Sequence, residues 1–430
     1  MKELLGFIKE SPTAFHAAKN IEEVLQQHHF VKLSENQKWR LEKNGKYYIT
    51  RNSSSVMAFT IPEDITELSY NITAAHLDSP TFKLKPNCAI DTNRYIRLNT
   101  EVYGGPILNT WMDRPLNIAG RVVVRDNGLK TRLISFDRPM AVIPNCSIHY
   151  YPELNKGAAL NPQSDLLPIF CDKTVKPADL YDLIAQKLNI QREDIVSFDL
   201  YLALLDRGCL CGVNEEFIMA PQIDNLECAF AGLQGFIHAK NGKSVNVLAE
   251  FDNEEIGSRT RQGAASTMLQ NILERISDSL GLTAEEHKMA LANSFIVSAD
   301  NAQGFHPNYA FKYDSTNAVY LNQGIVVKNA ARGSYTTDAV SQAYFKEVCA
   351  MASAKVQMNT NRSDVPGGST LGAISLSQVS IPSVDIGLPQ IAMHSAYETA
   401  GALDYIEMVK ALTKFYELHL KIDIDGELTF

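Results

Sequence analysis

Val245-Asn246-Val247-Leu248-Ala249-Glu250-Phe251-Asp252-Asn253-Glu254-Glu255-Ile256-Gly257-Ser258 decides how the rest of the chain is read. Its first half is short, largely apolar and partly β-branched, the make-up of a buried strand. A cluster of acids follows, and Gly257 then lets the chain turn sharply. Beyond the turn, Met268, Ile272, Leu273, Ile276 and Leu280 recur at helical spacing. Strand, acidic turn and helix together make a unit of an α/β fold, in which ligands bind at the carboxyl ends of strands. Two adjacent carboxylates there can divide two tasks: one ligates a cation while its neighbour accepts a proton from nearby water. An isolated Glu-Glu pair is more often a solvated loop, because charged side chains are mostly exposed. Its meaning therefore depends on what the rest of the chain supplies.

With 430 residues, 45% hydrophobic and 21% charged, the chain has a folding composition and enough length for a large core. Length allows roughly two or three domains. The net charge of -9 weighs against a general affinity for nucleic acid or an anionic membrane, so neither is expected as a partner. The cysteines (Cys88, Cys146, Cys171, Cys209, Cys211, Cys228, Cys349) form no even framework, and Cys209-Leu210-Cys211 lacks zinc or redox spacing. Reduced thiols in a cytoplasmic protein are expected. Leu4 to Ile8 is too short for a signal segment, and no apolar run approaches the roughly 18 residues of a membrane helix.

Taken in order, Ser11-Pro12 marks a helix start, with Ser11 as N-cap and Pro12 at the first helical position. Ala14, Ala18, Ile21 and Leu25 continue it at helical spacing. Tyr70 to Ala75 reads as a strand that runs into His76-Leu77-Asp78-Ser79-Pro80. In His-x-Asp the histidine can bind a metal while the aspartate orients the imidazole. From Phe82 to about Gly212 short β-type segments alternate with turns, and Asn127-Gly128 between two such runs is a hairpin signal. This texture predicts an inserted β-rich domain over 82–216, dividing an α/β domain into 1–81 and 217–430. Asp224 precedes a helical pattern ending near His238, and Asn293 to Ala299 is another buried strand, ending on Asp300. His394 lies between Val384-Asp385-Ile386-Gly387 and a final helix carrying Tyr405, Val409, Leu412 and Tyr416.

His76, Asp224, Glu254-Glu255, Asp300 and His394 thus form an ordered set, most of them at predicted strand ends. Two imidazoles and three carboxylates suit a pair of divalent ions of the zinc, cobalt or manganese type. Ions ~3.5–4 Å apart need a bridging carboxylate and two terminal ligands each. One bridging ligand among five meets that count and leaves Glu254 free as a base.

The same residues carry a resemblance that runs from end to end. Ser11-Pro12-Thr13-Ala14-Phe15-His16, Ala75 to Pro80, Tyr103-Gly104-Gly105, Thr110 to Arg114, Asp224-Asn225, Phe251 to Ser258, Asp300 with His306-Pro307-Asn308, Gly368 to Gly372 and Ala392-Met393-His394-Ser395 together resemble the M18 metallopeptidases, the aspartyl aminopeptidases and their bacterial relatives. The resemblance implies a mixed α/β sandwich catalytic domain, interrupted by a β-rich domain used in dimer contacts. It implies a homododecamer and peptide substrates. It places His76 and Asp300 on one metal, Glu255 and His394 on the other, and Asp224 between them. Glu254 is then the general base and Asp78 the partner of His76.

The resemblance also points to His149, in Ile143 to His149, as a group reaching a neighbouring subunit's site. Lys328, in Gly324 to Lys328, is the group it implies against an acidic side chain at the substrate's first residue. His306 and Gly368 join these as substrate-binding residues, and Gly367 to Thr370 as a source of backbone donors for an oxyanion. Gln303, where the eukaryotic pattern has histidine, and the Asn329 to Tyr335 loop depart from the family pattern and keep a broader or neutral-residue aminopeptidase open. A catalytically silent peptide-binding or cargo protein on this scaffold would be expected to have lost ligands, and none is missing. No Gly-Lys-Ser/Thr follows the glycine loop, and no Gly-x-Ser-x-Gly occurs, which argues against phosphate-loop and serine-hydrolase chemistry.

Overall fold

The computed structural model describes residues 1–430 apart from Asn241 and Ser369, and apart from the side chains of Leu376 and Asp423. Strand Val245–Phe251 is buried at every position and lies inside a nine-stranded sheet. Strand Tyr70–His76 runs parallel beside it, followed by Phe295–Ala299 and Ser383–Gly387, also parallel. Four neighbouring strands therefore end at the same edge of the sheet. Strands buried on both faces read as near-continuous apolar runs, which is why these segments were legible without alternation. The sheet is completed by Ser55–Thr60 and Ile325–Asn329, each antiparallel to its inner neighbour, with further strands outside them.

Helices cover both faces. Phe230, Leu233 and Phe236 of helix Ile223–His238 pack with Met408, Leu412 and Phe415 of helix Asp404–Glu417 in one core. Met268, Ile272, Leu273 and Ile276 of helix Met268–Ser279 enter the core on the other face, as their spacing predicts. The architecture is a mixed α/β sandwich.

A separate six-stranded sheet uses strands between Thr81 and Leu204 and has its own core around Phe82, Trp111, Ile118, Val122 and Leu200. Its hairpin forms at the Asn-Gly pair: Arg125 pairs with Leu129, and Asn127 and Gly128 take the positive φ values (48° and 114°) that such a turn requires. A five-stranded sheet then joins Cys209–Cys211 and Phe217–Ala220 to Glu398–Gly401, Pro389–Ile391 and Ala302–Gln303. This third sheet was not anticipated, because strands this short carry no periodicity.

One local expectation is corrected. Ser11 does not cap the second helix but closes the first, Lys2–Glu10, and helix Ala14–Gln27 begins after Thr13, which is extended at φ -149°, ψ 163°. The Ser11 N–H donates to the Ile8 carbonyl at 3.2 Å and so closes the first helix, and Pro12 lies in the turn between the two helices. All seven cysteines are free thiols. Among the described residues no helix is long and apolar enough to cross a membrane.

Candidate metal centre

The edge where the parallel strands end collects the acids and imidazoles. His76 is the last residue of its strand and pairs in register with Phe251. Glu254 and Glu255 form a short turn just beyond Phe251, entered through Asn253 in the left-handed conformation at φ 65°. Asp300 follows the end of strand Phe295–Ala299. Asp224 sits in the first turn of helix Ile223–His238, with a non-helical backbone (φ -78°, ψ 108°). His394 follows strand Pro389–Ile391 and also has positive φ, at 66°.

These side chains meet in two groups that share one member. His76, Asp224 and Asp300 offer ligand atoms within 4.8 Å of one another, and so do Asp224, Glu255 and His394. Asp224 divides its oxygens between them: Oδ1 is 3.5 Å from His76 Nε2, and Oδ2 is 3.7 Å from His394 Nε2. His76 Nε2 lies 3.8 Å from Asp300 Oδ1, and His394 Nε2 lies 3.5 Å from Glu255 Oε2. Two donors at zinc distances of ~2.0–2.1 Å in a tetrahedral arrangement are ~3.4 Å apart, so these spacings fit a cation between the donors.

The tautomers agree. A carbonyl can only accept, so His76 Nδ1–H donates to the Asp78 carbonyl at 3.1 Å and His394 Nδ1–H to the Gly105 carbonyl at 3.0 Å. Both Nε2 atoms are then left as free lone pairs, the arrangement usual for metal-bound histidine. Asp224 Oδ1 and Glu255 Oε1 are buried without any hydrogen-bond partner. Unpaired buried carboxylate oxygens are costly, and a cation removes that cost.

Charge tells the same story. Burial disfavours the His76 imidazolium, yet Asp224, Asp300 and Asp78 overcome it and hold its pKa well above the usual range. Burial, then Asp224, push Glu255 well above the carboxylate range, and burial chiefly pushes Glu254 to about 7. Asp300 moves the other way: burial opposes its charge, but Lys328 and His76 outweigh it and lower its pKa. These shifts mark a pocket in which negative charge is in excess.

Asp78 accepts the N–H groups of Glu254 and Glu255 and the hydroxyl of Tyr103. Glu254, Lys328 and Gly368 line the same cleft as both ligand groups, together with Gln303, Tyr335 and Asn361. Lys328 is 3% exposed, and its Nζ is 3.8 Å from Asp300 Oδ2. Burial lowers its pKa, but Asp300, Tyr335 and Asp385 raise it further, so the ammonium is retained.

His306 is not among the side chains lining the cleft; it caps the turn Pro307–Lys312, accepting the Asn308 N–H. His149 is exposed on a turn of the six-stranded-sheet region, outside this chain's own cleft. Of the glycine loop, Gly367, Gly368 and Thr370 line the cleft, whereas Ser369 lies outside the described residues. Glu398 was missed by sequence reasoning. It is buried and accepts the backbone N–H of Asp224 at 3.0 Å and of His394 at 2.7 Å, setting two of the five side chains at once. Its only signal is an acid on a strand four residues after His394.

The chain matches the family described as Aminopeptidase I zinc metalloprotease (M18) over residues 7–416. It is 45% identical over 425 residues to the "Probable M18 family aminopeptidase 2" of Clostridium acetobutylicum, which covers 97% of this chain and 98% of that one. Its fold is similar to Ape4 in the cryo-EM structure of the Ape4 and Nbr1 complex, at 33% identity and TM-score 0.94, over 96% of this chain and 85% of that one. It is also similar to the S. cerevisiae mApe1 dodecamer, at 27% identity and TM-score 0.84, over 97% and 96% of the two chains. A family match across nearly the whole length, a relative at 45% identity and a shared fold establish that the chain belongs to the M18 zinc metallopeptidases and is an aminopeptidase of that family.

Proposed function

We propose that the cleft is a dinuclear metalloaminopeptidase site that removes acidic N-terminal residues, Asp or Glu, from peptides. The observation that carries this reading is the division of Asp224: its two oxygens face two separate histidine-bearing groups. His76 and Asp300 would hold one ion and Glu255 and His394 the other, with Asp224 facing both groups. Mixed imidazole and carboxylate donors suit zinc, with cobalt or manganese able to occupy the same set. When bound, the two ions supply an acidified water and polarise the scissile carbonyl.

The chain's own residues do the rest. Glu254, in the same cleft and not among the proposed metal ligands, takes the proton from the attacking water and delivers it to the departing amine. Asp78 fixes the turn that carries Glu254 and Glu255. The carboxylates around the centre hold the substrate's free α-amino group, which confines cleavage to the first residue. Lys328, buried and charged beside the centre, faces the first side chain and favours a carboxylate there.

Residues 82–216 act as the oligomerisation domain of a homododecamer, with 1–81 and 217–430 forming the catalytic domain. Exposed Ile148, Tyr150 and Tyr151 flank His149, which is consistent with that segment meeting a neighbouring subunit.

Metal analysis and a substrate panel test the reading together. Two equivalents of divalent metal per chain are expected, with hydrolysis of Asp- and Glu-anilides and no cleavage of N-acetylated counterparts. One equivalent at full activity overturns the dinuclear site. Equal turnover of blocked and free N-termini overturns the aminopeptidase geometry.

A further inference from the structure

Asp385 lies on strand Ser383–Gly387, opposite Ser298, and is fully buried. Val327 pairs with Ile386 on the other side, so Lys328 and Asp385 come next along two neighbouring strands. The Asp385 carboxylate accepts from two loops far apart in sequence. The Thr336 N–H donates to Oδ2 at 2.6 Å and the Thr336 hydroxyl to the same oxygen at 2.9 Å. The Thr370 hydroxyl donates to Oδ1 at 2.7 Å. In the other direction, the Asp385 N–H donates to Thr337 Oγ1 at 3.0 Å.

Both loops wall the metal cleft. The first carries Tyr335, whose ring centre is 5.5 Å from Lys328 Nζ; the second carries Gly367, Gly368 and Thr370. They also meet each other, since a Cβ on Gly367 would lie 2.7 Å from Asn361 Nδ2 and 3.5 Å from the Tyr335 hydroxyl. The approach to Asp385 is itself built in. A Cβ on Gly372 would lie 2.6 Å from Asp385 Oδ1 and 2.7 Å from Ser298 Oγ, so only glycine lets the start of helix Leu371–Val379 come this close.

We propose that Asp385 is a positioning residue that couples loop 330–338 to loop 361–370, so that the two move as one wall around Lys328. It touches no reacting atom. It acts by fixing Thr336, and so the neighbouring Tyr335, relative to the side of the cleft lined by Gly367, Gly368 and Thr370. Hydrogen bonds to a charged group are about twice as strong as neutral ones, so one buried carboxylate can link the two loops. The kinetic consequence rests on the reading of Lys328 as the group that meets an acidic first side chain; the coupling does not.

Hydrogen exchange of the metal-loaded full chain tests the coupling across the loops. Thr370→Val removes the bond on one loop, and the expected result is exchange faster by roughly tenfold or more in 330–338, the loop that was not altered. Thr370→Ser keeps the hydroxyl and is expected to retain wild-type rates. Thr336→Val, read at 361–368, is the reciprocal measurement and serves if Thr370→Val folds poorly. In the kinetic arm, Thr370→Val is expected to raise KM for Asp-anilide roughly tenfold, and Thr370→Ser to restore it. Unchanged exchange in the distant loop, or Thr370→Ser behaving like Thr370→Val, overturns the proposal. Coupled exchange without any KM change upholds the coupling and overturns the acid-binding role of Lys328.

Discussion

Asp78 holds Glu254 by its backbone: the Glu254 N–H donates to Asp78 Oδ1 at 3.0 Å. The same carboxylate takes the Glu255 N–H at 3.1 Å and the Tyr103 hydroxyl at 2.8 Å on Oδ2, while Oδ1 is 3.4 Å from His76 Nδ1. One side chain therefore ties the end of strand Tyr70–His76 to the acidic turn after Phe251. Asp78→Asn would present an amide NH2 to groups that are already donors. Losing such a supporting contact typically costs about 10–100-fold in metal affinity or activity, and that is the expected effect here. Zinc titration in a chelator-buffered series, with kcat measured at saturating zinc, separates the two contributions.

Glu254→Gln is expected to keep both metals and lose ~10²–10⁴ in kcat, the usual contribution of a general base. Glu255→Gln is expected to lose metal instead, because Glu255 Oε2 faces His394 Nε2 at 3.5 Å. Metal content and single-turnover rates measured on the same preparations check the pair. Near wild-type turnover in fully loaded Glu254→Gln would remove Glu254 as the base.

The strands carrying these residues were legible because each is buried on both faces and runs straight into an acid or histidine, a contrast that survives in one dimension. Asp224 was legible too, though it comes from a helix start and not a strand end. Glu398 and Asp385 were not read as site-shaping groups. An acid that accepts backbone N–H groups from distant loops looks, in sequence, like any surface acid. Ser11 was misread because serine before proline suits either side of a helix boundary, and only the earlier helix Lys2–Glu10 decides which. The Gly105 carbonyl that orients His394 comes from the stretch between strands Tyr95–Tyr103 and Leu116–Arg125, and no local pattern links residues so far apart.

Gly104 stands at φ 71°, and a Cβ there would lie 3.1 Å from Glu255 Cβ and 3.4 Å from the Pro80 backbone. Gly104→Ala therefore meets two penalties, a left-handed backbone worth roughly 1–2 kcal/mol for a residue with a Cβ, and a push on a metal-facing glutamate. The expected outcome is a modest loss of thermal stability together with weakened binding at the Glu255–His394 position. Two-step metal titration, in which only one step weakens, checks it. Equal weakening of both steps would point to a general loss of stability.

His16 gives a pH signature of its own, from a side chain that is not among the candidate metal ligands. Burial chiefly, with Arg207 assisting and Asp137 opposing, lowers its pKa to about 4, and Nδ1 bonds the Thr13 hydroxyl at 2.8 Å. The unfolded chain, with an ordinary histidine near 6.5, binds the proton first as pH falls. Stability is therefore full above about pH 6.5 and is lost progressively down to about pH 4, by up to about 3 kcal/mol. His16→Gln removes that component. Apparent urea midpoints of the chelated protein at pH 7 and pH 5 are expected to fall less in the variant than in wild type.

On the proposed reading, Lys328 selects an acidic first residue of the substrate. Its ammonium is buried in the cleft, held charged by Asp300, Tyr335 and Asp385 against the cost of burial, and only 3.8 Å from Asp300. A cation held by Asp300 would weaken that partner and favour a further anion beside the ammonium. A substrate carboxylate supplies one, through a charge-assisted hydrogen bond worth about 1.5–3 kcal/mol, or about ten- to a hundredfold in kcat/KM. Leu or Met at the same position forfeits the bond and leaves the charge desolvated. Opposing this, Gln303 lines the cleft with an uncharged, exposed side chain and leaves room for a neutral residue. The expected order is Asp and Glu above Leu in wild type, collapsing toward equality in Lys328→Ala through loss on the acidic substrates alone. Measuring kcat/KM for Asp-, Glu- and Leu-anilides in both proteins decides it. Equal rates for Leu in wild type, or an unchanged acidic preference in Lys328→Ala, would show that selection of the first residue lies elsewhere in the cleft.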